Sequence, residues 1–150
     1  MTLTIRRYRE SEYTALCSLE EANTPGECKP AVFIRQAGVL FPETFLVADR
    51  DGEVIGYTIG ARVQQDPTQA WIIRLAVREK DRRQGVGAEL VAGILAAFRS
   101  MSIREVFLSV SPANVPGRNL YDRNGFFEVD YCGDYFGAGV DRTIMKRTIE

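Results

Sequence analysis

The segment that most constrains this chain is Leu75-Ala76-Val77-Arg78-Glu79-Lys80-Asp81-Arg82-Arg83-Gln84-Gly85-Val86-Gly87-Ala88, where an apolar strand enters a basic turn and two glycines open a helix. Upstream, Ala70 to Val77 is a nearly continuous apolar run with β-branched residues, the pattern of a central strand covered on both faces. Downstream, Val86, Leu90, Val91, Ile94, Leu95 and Phe98 recur at i, i+4, i+5, i+8, i+9 and i+12, one stripe of the longest helix in the sequence. A buried strand followed by a helix with one apolar face demands a sheet with that helix packed on it.

The remaining elements extend this unit. Leu3 to Tyr8 predicts a first strand, and Glu10 to Ala22, with Tyr13, Leu16 and Cys17 at helical spacing and Ser11 as cap, predicts a helix. A loop containing Pro25 and Gly26 leads to a short second helix over Pro30 to Gln36. Asp51-Gly52 supplies the positive φ angles of a tight hairpin between strands Phe45 to Ala48 and Val54 to Ile59. Val106 to Val110, Phe126 to Tyr131 and Thr143 to Lys146 predict three more strands, with a short helix over Val115 to Asn124. Early strands pair by hairpin and later ones alternate with helices, so the expected fold is α/β, a mixed sheet with helices on both faces. No repeat, low-complexity tract or linker divides the chain, and residues 1–150 read as one domain.

At 150 residues, folding buries roughly 68 to 70% of the surface the unfolded chain exposes, so neither disulfides nor a structural metal is required. The formal net charge of −1 offers no general field for nucleic acid or an anionic membrane. The absence of histidine removes the commonest general base and the commonest transition-metal ligand together, and no metal is expected. Cys17, Cys28 and Cys132 are widely spaced and read as free thiols of a reducing compartment. With a polar, basic stretch from Met1 to Arg9 and no apolar run of about 18 residues, the expected location is the cytoplasm.

Helix N-termini leave backbone amides without partners and carry partial positive charge, so they bind phosphate. Gly85 and Gly87 remove side chains that would hold an anion away, and Arg82 and Arg83 supply charge-assisted donors. Taken alone, the same residues also read as a solvated turn. The Walker pattern lacks its lysine and hydroxyl residue, and the dinucleotide pattern would need glycine where Leu90 stands, which leaves a phosphate site of another kind.

Arg82, Gly85 and Gly87 fit Arg or Gln, two residues, Gly, one residue, Gly or Ala; the stretch thereby resembles the pyrophosphate signature of the GNAT acetyltransferase superfamily, and Leu75-Ala76-Val77 is similar to the strand preceding it there. Asn114-Val-Pro-Gly117-Arg-Asn-Leu120-Tyr121-Asp-Arg-Asn-Gly125-Phe126 resembles the second signature of that family, with Gly117 in place of Ala. The likeness covers most of Leu3 to Lys146 and is strongest from Leu75 to Phe126. It implies a V-shaped, seven-stranded GNAT-like sheet in which coenzyme A lies where two parallel strands splay, with acetyl-CoA as acetyl donor. Carried over, Leu75, Ala76 and Val77 line the acetyl and pantetheine portion, and the amides of Arg82, Arg83, Gln84, Gly85, Val86, Gly87 and Ala88 bind the pyrophosphate. Asn114 meets the pantetheine arm, and Tyr121 stands near the sulfur.

Acid strengths then suggest a mechanism. A neutral primary amine attacks the thioester, and the departing thiolate, near pKa 8.5, can be protonated by a phenol near 10, a role that falls to Tyr121. Where many family members hold an acid that serves as base, this chain has Trp71, Ile73 and Ser109. At pH 7 a lysine amine of pKa about 10.4 loses its proton at a cost of roughly 4.6 kcal/mol, against about 1.4 for an α-amine near 8. That difference favours a protein or peptide α-amine, and the Leu-Ala-Val, Arg-Arg and Asp141 to Met145 segments are similar to the N-terminal-acetylating branch of the superfamily. Glu20, Glu21, Glu27, Trp71, Tyr131, Asp134 and Tyr135 fall in regions that form the acceptor side in such proteins; each carboxylate also reads as a solvated surface residue. A small-molecule amine acetyltransferase and a degenerate acyl-CoA sensor or interaction module stand as alternatives. Neither nucleic acid nor membrane is an expected partner, and a homodimer is left open.

Overall fold

The computed structural model describes residues 2–23 and 31–150, so Pro25, Gly26, Glu27, Cys28 and Pro30 lie outside the described residues. Among those described are seven strands, β1 (Leu3–Arg7), β2 (Phe45–Arg50), β3 (Glu53–Arg62), β4 (Gln69–Val77), β5 (Glu105–Val110), β6 (Phe127–Cys132) and β7 (Arg142–Thr148). Four helices accompany them, α1 (Tyr13–Asn23), α2 (Ala31–Leu40), α3 (Val86–Ser100) and α4 (Val115–Arg123). The strands form one sheet in the order β1-β2-β3-β4-β5-β7-β6. The β4–β5 pair is parallel, whereas β1–β2, β2–β3, β5–β7 and β6–β7 are antiparallel, which is the mixed α/β sheet the sequence predicts. No helix among the described residues is long and apolar enough to cross a membrane.

By compactness the chain divides into two units. The first comprises Met1–Gly60 and Arg74–Ala97. Here Phe45 and Val47 of β2 pack with Leu16, Leu19, Ile34 and Ala37 of α1 and α2. Ala48, on the opposite face, packs with Val86 and Leu90 of α3. Alternation along one strand therefore buries a helix layer on each face, as a two-residue period requires. At the β2–β3 hairpin, Asp51 and Gly52 adopt φ of 52° and 89°, and Asp49 Oδ1 accepts the Gly52 N–H at 2.7 Å. Ala48 pairs with Gly56 and Asp49 with Val54, so Ile55 is an extra residue in β3. This bulge turns Ile55 into the α3 cluster while Tyr57 and Ile59 stay in the α1/α2 cluster.

The helix starts and stops differ in detail from the sequence reading. Ser11 does not cap α1; a 3₁₀ turn over Glu10–Glu12 precedes it, and Glu12 Oε1 accepts the Arg9 N–H at 2.9 Å. The second helix runs past Gln36 to Leu40 and closes with Phe41 N–H on Ala37 O at 2.8 Å. The α3 stripe is as predicted, with Val86, Leu90, Val91, Ile94, Leu95 and Phe98 all buried.

The second unit comprises Ala61–Ile73 and Phe98–Glu150. Along β5, Val106, Leu108 and Val110 are buried and Phe107 and Ser109 half-buried. The parallel ladder covers Gln69–Ile72 against Glu105–Leu108 and stops there, although β4 runs on to Val77 and β5 to Val110. Contrary to expectation, β4 is not covered on both faces: Ile73 is 47% exposed and Trp71 half-buried. A central place in the sheet gives a strand two neighbours but does not put a helix over each face, and the apolar run records only the first. At the sheet edge, β6 pairs with β7 alone. Glu128 opposes Met145 and Asp130 opposes Ile144, which makes Val129 a bulge residue.

Candidate active site

In the first unit, the chain leaves β4 through Arg78, whose N–H meets Ile55 O at 2.7 Å, and makes a 3₁₀ turn over Glu79–Asp81. Asp81, 6% exposed, is the hub of this loop. Its Oδ1 accepts Arg50 Nη1 at 2.8 Å, and its Oδ2 accepts Arg78 Nε at 2.6 Å. Arg78 also pairs with Glu53, whose carboxyl it holds below the usual range by hydrogen bond and charge. Arg50 Nη1 reaches Gln84 Oε1 at 3.0 Å, and Arg82 Nε folds back onto Val77 O at 3.0 Å.

Two left-handed residues follow, Arg83 with φ of 63° and Gly85 with φ of 83°. A Cβ at Gly85 would meet nothing within 4 Å, so backbone conformation rather than space selects glycine there. The first helical bond of α3 runs from Glu89 N to Gly85 O at 3.1 Å, leaving the amides of Val86, Gly87 and Ala88 projecting ahead of it. An open, cation-flanked helix start beside a glycine without a side chain fits a pyrophosphate. Val77 O accepts Asn23 Nδ2 at 3.4 Å in addition to Arg82.

Glu20 occupies a place the sequence did not suggest. It is 2% exposed, and its carboxylate accepts Arg74 Nε at 2.9 Å, Arg74 Nη2 at 2.8 Å and the Tyr57 hydroxyl. Burial and the neighbouring Glu20 push the Tyr57 phenol far above its ordinary range. Neither a solvated surface residue nor a free base, Glu20 is a buried carboxylate committed to the half-exposed Arg74 and to Tyr57. Glu21, one residue on, is exposed, and Glu27 lies outside the described residues.

In the second unit, Asn114 caps α4, its Oδ1 accepting Gly117 N–H at 3.0 Å. A Cβ at position 117 would come within 2.5 Å of Asn114 Nδ2, so glycine, where the family signature has alanine, lets the asparagine side chain lie across the helix start. Tyr121, buried on the same helix, meets Phe126 edge-on with centroids 5.8 Å apart. On the open face of β4 and β5, Trp71 stacks on Phe107 at 5.4 Å, and Lys146 Nζ stands 5.8 Å from the Phe107 ring centroid while paired with Glu105.

The turn between β6 and β7 gathers two of the remaining candidates. Asp141 Oδ2 accepts the Tyr131 hydroxyl at 2.6 Å, and Oδ1 accepts Asp134 N–H at 2.8 Å. Those bonds hold the Asp141 carboxyl below its usual range. Tyr135 packs edge-on against Phe136, and both are exposed. Cys132 donates to Asp130 Oδ2 at 3.6 Å, and burial together with that carboxylate pushes its thiol up, away from reactive thiolate character.

Sequence reasoning missed Arg50 and Asp81, Tyr57 and Arg74, and the Phe107–Lys146 contact. Each pair joins residues far apart in sequence whose types look like ordinary surface or core.

Residues 7–126 match the acetyltransferase (GNAT) family. An N-alpha-acetyltransferase of Sulfurisphaera tokodaii is 30% identical over 151 residues, spanning 94% of this chain and 90% of that protein. The crystal structure of Ard1 from Thermoplasma volcanium superposes with a TM-score of 0.90 at 25% identity, over 100% of this chain and 99% of that one. An L-2,4-diaminobutyric acid acetyltransferase of Virgibacillus pantothenticus is 28% identical over 82 residues, 55% of this chain and 52% of that protein.

Proposed function

This chain belongs to the GNAT acetyltransferase family and is an acetyl-CoA-dependent N-acetyltransferase, and from that premise we propose that its acceptor is the α-amine of a protein or peptide. The observation that carries this reading is that, among the described residues, no free carboxylate stands at the places where an acid would serve as base. Trp71, Ile73 and Ser109 occupy the positions where an acid would serve, and the carboxylate of Glu20 is tied to Arg74 and Tyr57. An amine that reaches the site largely unaided must be one that loses its proton cheaply: about 1.4 kcal/mol at pH 7 for an α-amine against roughly 4.6 for a lysine.

On this reading residues 1–150 act as one catalytic domain. The amides of Arg82–Ala88 and the guanidinium of Arg83 hold the pyrophosphate, the Leu75 backbone and the Val77 N–H line the acyl end, and Asn114 offers Nδ2 to the pantetheine arm. Acetyl-CoA supplies the thioester. The neutral amine attacks its carbonyl carbon, the carbon–sulfur bond breaks, and Tyr121 donates its hydroxyl proton to the departing sulfur, regaining a proton from the acetylated nitrogen through solvent. Trp71, Tyr131, Asp134, Tyr135 and the exposed Glu21 are the acceptor-side candidates.

A second reading, acetylation of a small diamino acid, is favoured by the likeness to the diaminobutyrate enzyme over half the chain. Mass spectrometry of short peptides with a free α-amine, the same peptides α-blocked but carrying lysine, and free diamino acids, each with acetyl-CoA, separates the two. Acetylated α-amines are expected; turnover of diamino acids alone would replace the first reading by the second.

A further inference from the structure

We propose that Asp81 is a positioning residue for the donor loop: through Arg50 and Arg78 it fixes the backbone that presents the Arg82–Ala88 amides to the pyrophosphate. The proposal rests on the assignment of that loop to the donor made above. Asp81 is buried, and each of its oxygens takes a guanidinium N–H from a different element, Arg50 at the end of β2 and Arg78 at the start of the loop. The same Arg50 nitrogen that reaches Asp81 also reaches Gln84, on the far side of Arg82 and Arg83. One strand-anchored guanidinium thus ties both sides of the turn, and the left-handed Arg83 lies between the ties. A non-glycine residue keeps that conformation only where its surroundings impose it.

Charge and bracing predict opposite outcomes, which makes the proposal testable. Asp81 is an anion beside a site for an anion. If it acted only through its charge, Asp81→Asn would strengthen coenzyme A binding by removing a repulsion. If it positions the loop, the same change sets an amide NH₂ against one of the two guanidinium groups in place of an acceptor, loosens the turn and weakens binding.

The experiment is titration calorimetry with coenzyme A, together with steady-state kinetics in acetyl-CoA, on the wild type, Asp81→Asn, Arg50→Ala, the double variant and Gln84→Ala. Asp81→Asn and Arg50→Ala are each expected to raise the coenzyme A Kd and the acetyl-CoA KM about tenfold, with kcat within about twofold, as for a misplaced binding loop. The double variant should be no weaker than the worse single one, because both act through one tie. Gln84→Ala, at an exposed position whose truncation does not threaten folding, should weaken binding in the same direction by about threefold. Unchanged or tighter binding by folded Asp81→Asn overturns the proposal. Should that variant not fold, unchanged binding by Arg50→Ala and Gln84→Ala overturns it equally. A wild type that fails to bind coenzyme A would instead remove the donor-loop assignment itself.

Discussion

The loop before α3 and the turn between β6 and β7 are both short, glycine-containing and organised around one aspartate, yet they are held in different ways. Asp81 is buried and bonds two cations, one of them from a strand 31 residues away in sequence. Asp141 is half-buried and bonds two neutral donors, Tyr131 and Asp134, within its own hairpin. The first arrangement locks a loop to the sheet. The second closes a turn upon itself and leaves the sheet indifferent to its sequence. Under the proposed reading, which gives the first loop to the donor and the second to the acceptor side, such a division suits an enzyme with an invariant donor and a variable acceptor.

The largest expected effect is on stability. Asp81→Ala removes the buried acceptor that Arg50 and Arg78 share and should cost about 3 kcal/mol, roughly 6 to 12 °C in Tm, whereas Asp141→Ala should leave the unfolding midpoint nearly unchanged. Equal losses in thermal denaturation would erase the distinction between the two regions. Next in size, Tyr121→Phe keeps the ring against Phe126 and removes only the hydroxyl, so kcat should fall about 100-fold with the acetyl-CoA KM unchanged. An unaltered kcat would take Tyr121 out of the chemistry and leave the acid to be found elsewhere.

Asp141→Asn should raise the KM for the acceptor about threefold while leaving that for acetyl-CoA alone, the reverse of what Asp81→Asn does. A change in the donor KM instead would show that the turn is not self-contained. The smallest effect concerns acid. The Glu53 and Asp141 carboxyls are both depressed in the folded state, by the Arg78 hydrogen bond and by the Tyr131 hydroxyl respectively. Their contribution is therefore complete above the unfolded values of about 4.3 and 3.9 and is lost as pH falls through the lower folded ones. The Tm should accordingly be flat from pH 7 to about 5 and decline only below about 4; a decline beginning near pH 6 would contradict this.

What could be read from the sequence was what is local in it. The α3 stripe, the Asp51-Gly52 hairpin and the Arg82, Gly85 and Gly87 spacing each lie within one or a few turns of chain, where periodicity and φ preference act directly. The solvated-surface reading of Glu20 fails because burial of a glutamate depends on Arg74, 54 residues away, which no spacing rule connects to it. The Arg50–Asp81 tie was invisible for the same reason. The open face of β4 escaped because Trp71 and Ile73 have the composition of core residues; only the tertiary structure tells which face lacks a helix. Ile55 illustrates the converse, since a bulge moves one apolar residue to the other face without any mark in the alternation before or after it.

The bulge at Val129 bears on how the molecule fares in a crowded solution. Strand β6 is the last in the sheet, and Phe127, Val129 and Tyr131 on it are all exposed, an edge that could template the strands of other chains. An interrupted ladder, with Glu128 and Asp130 on either side of the extra residue, offers an incoming strand no continuous row of partners and sets negative charge in its way. Deleting Val129 would restore the regular ladder, and with it the hazard: a protein whose yield is limited by self-association rather than by the stability of its fold.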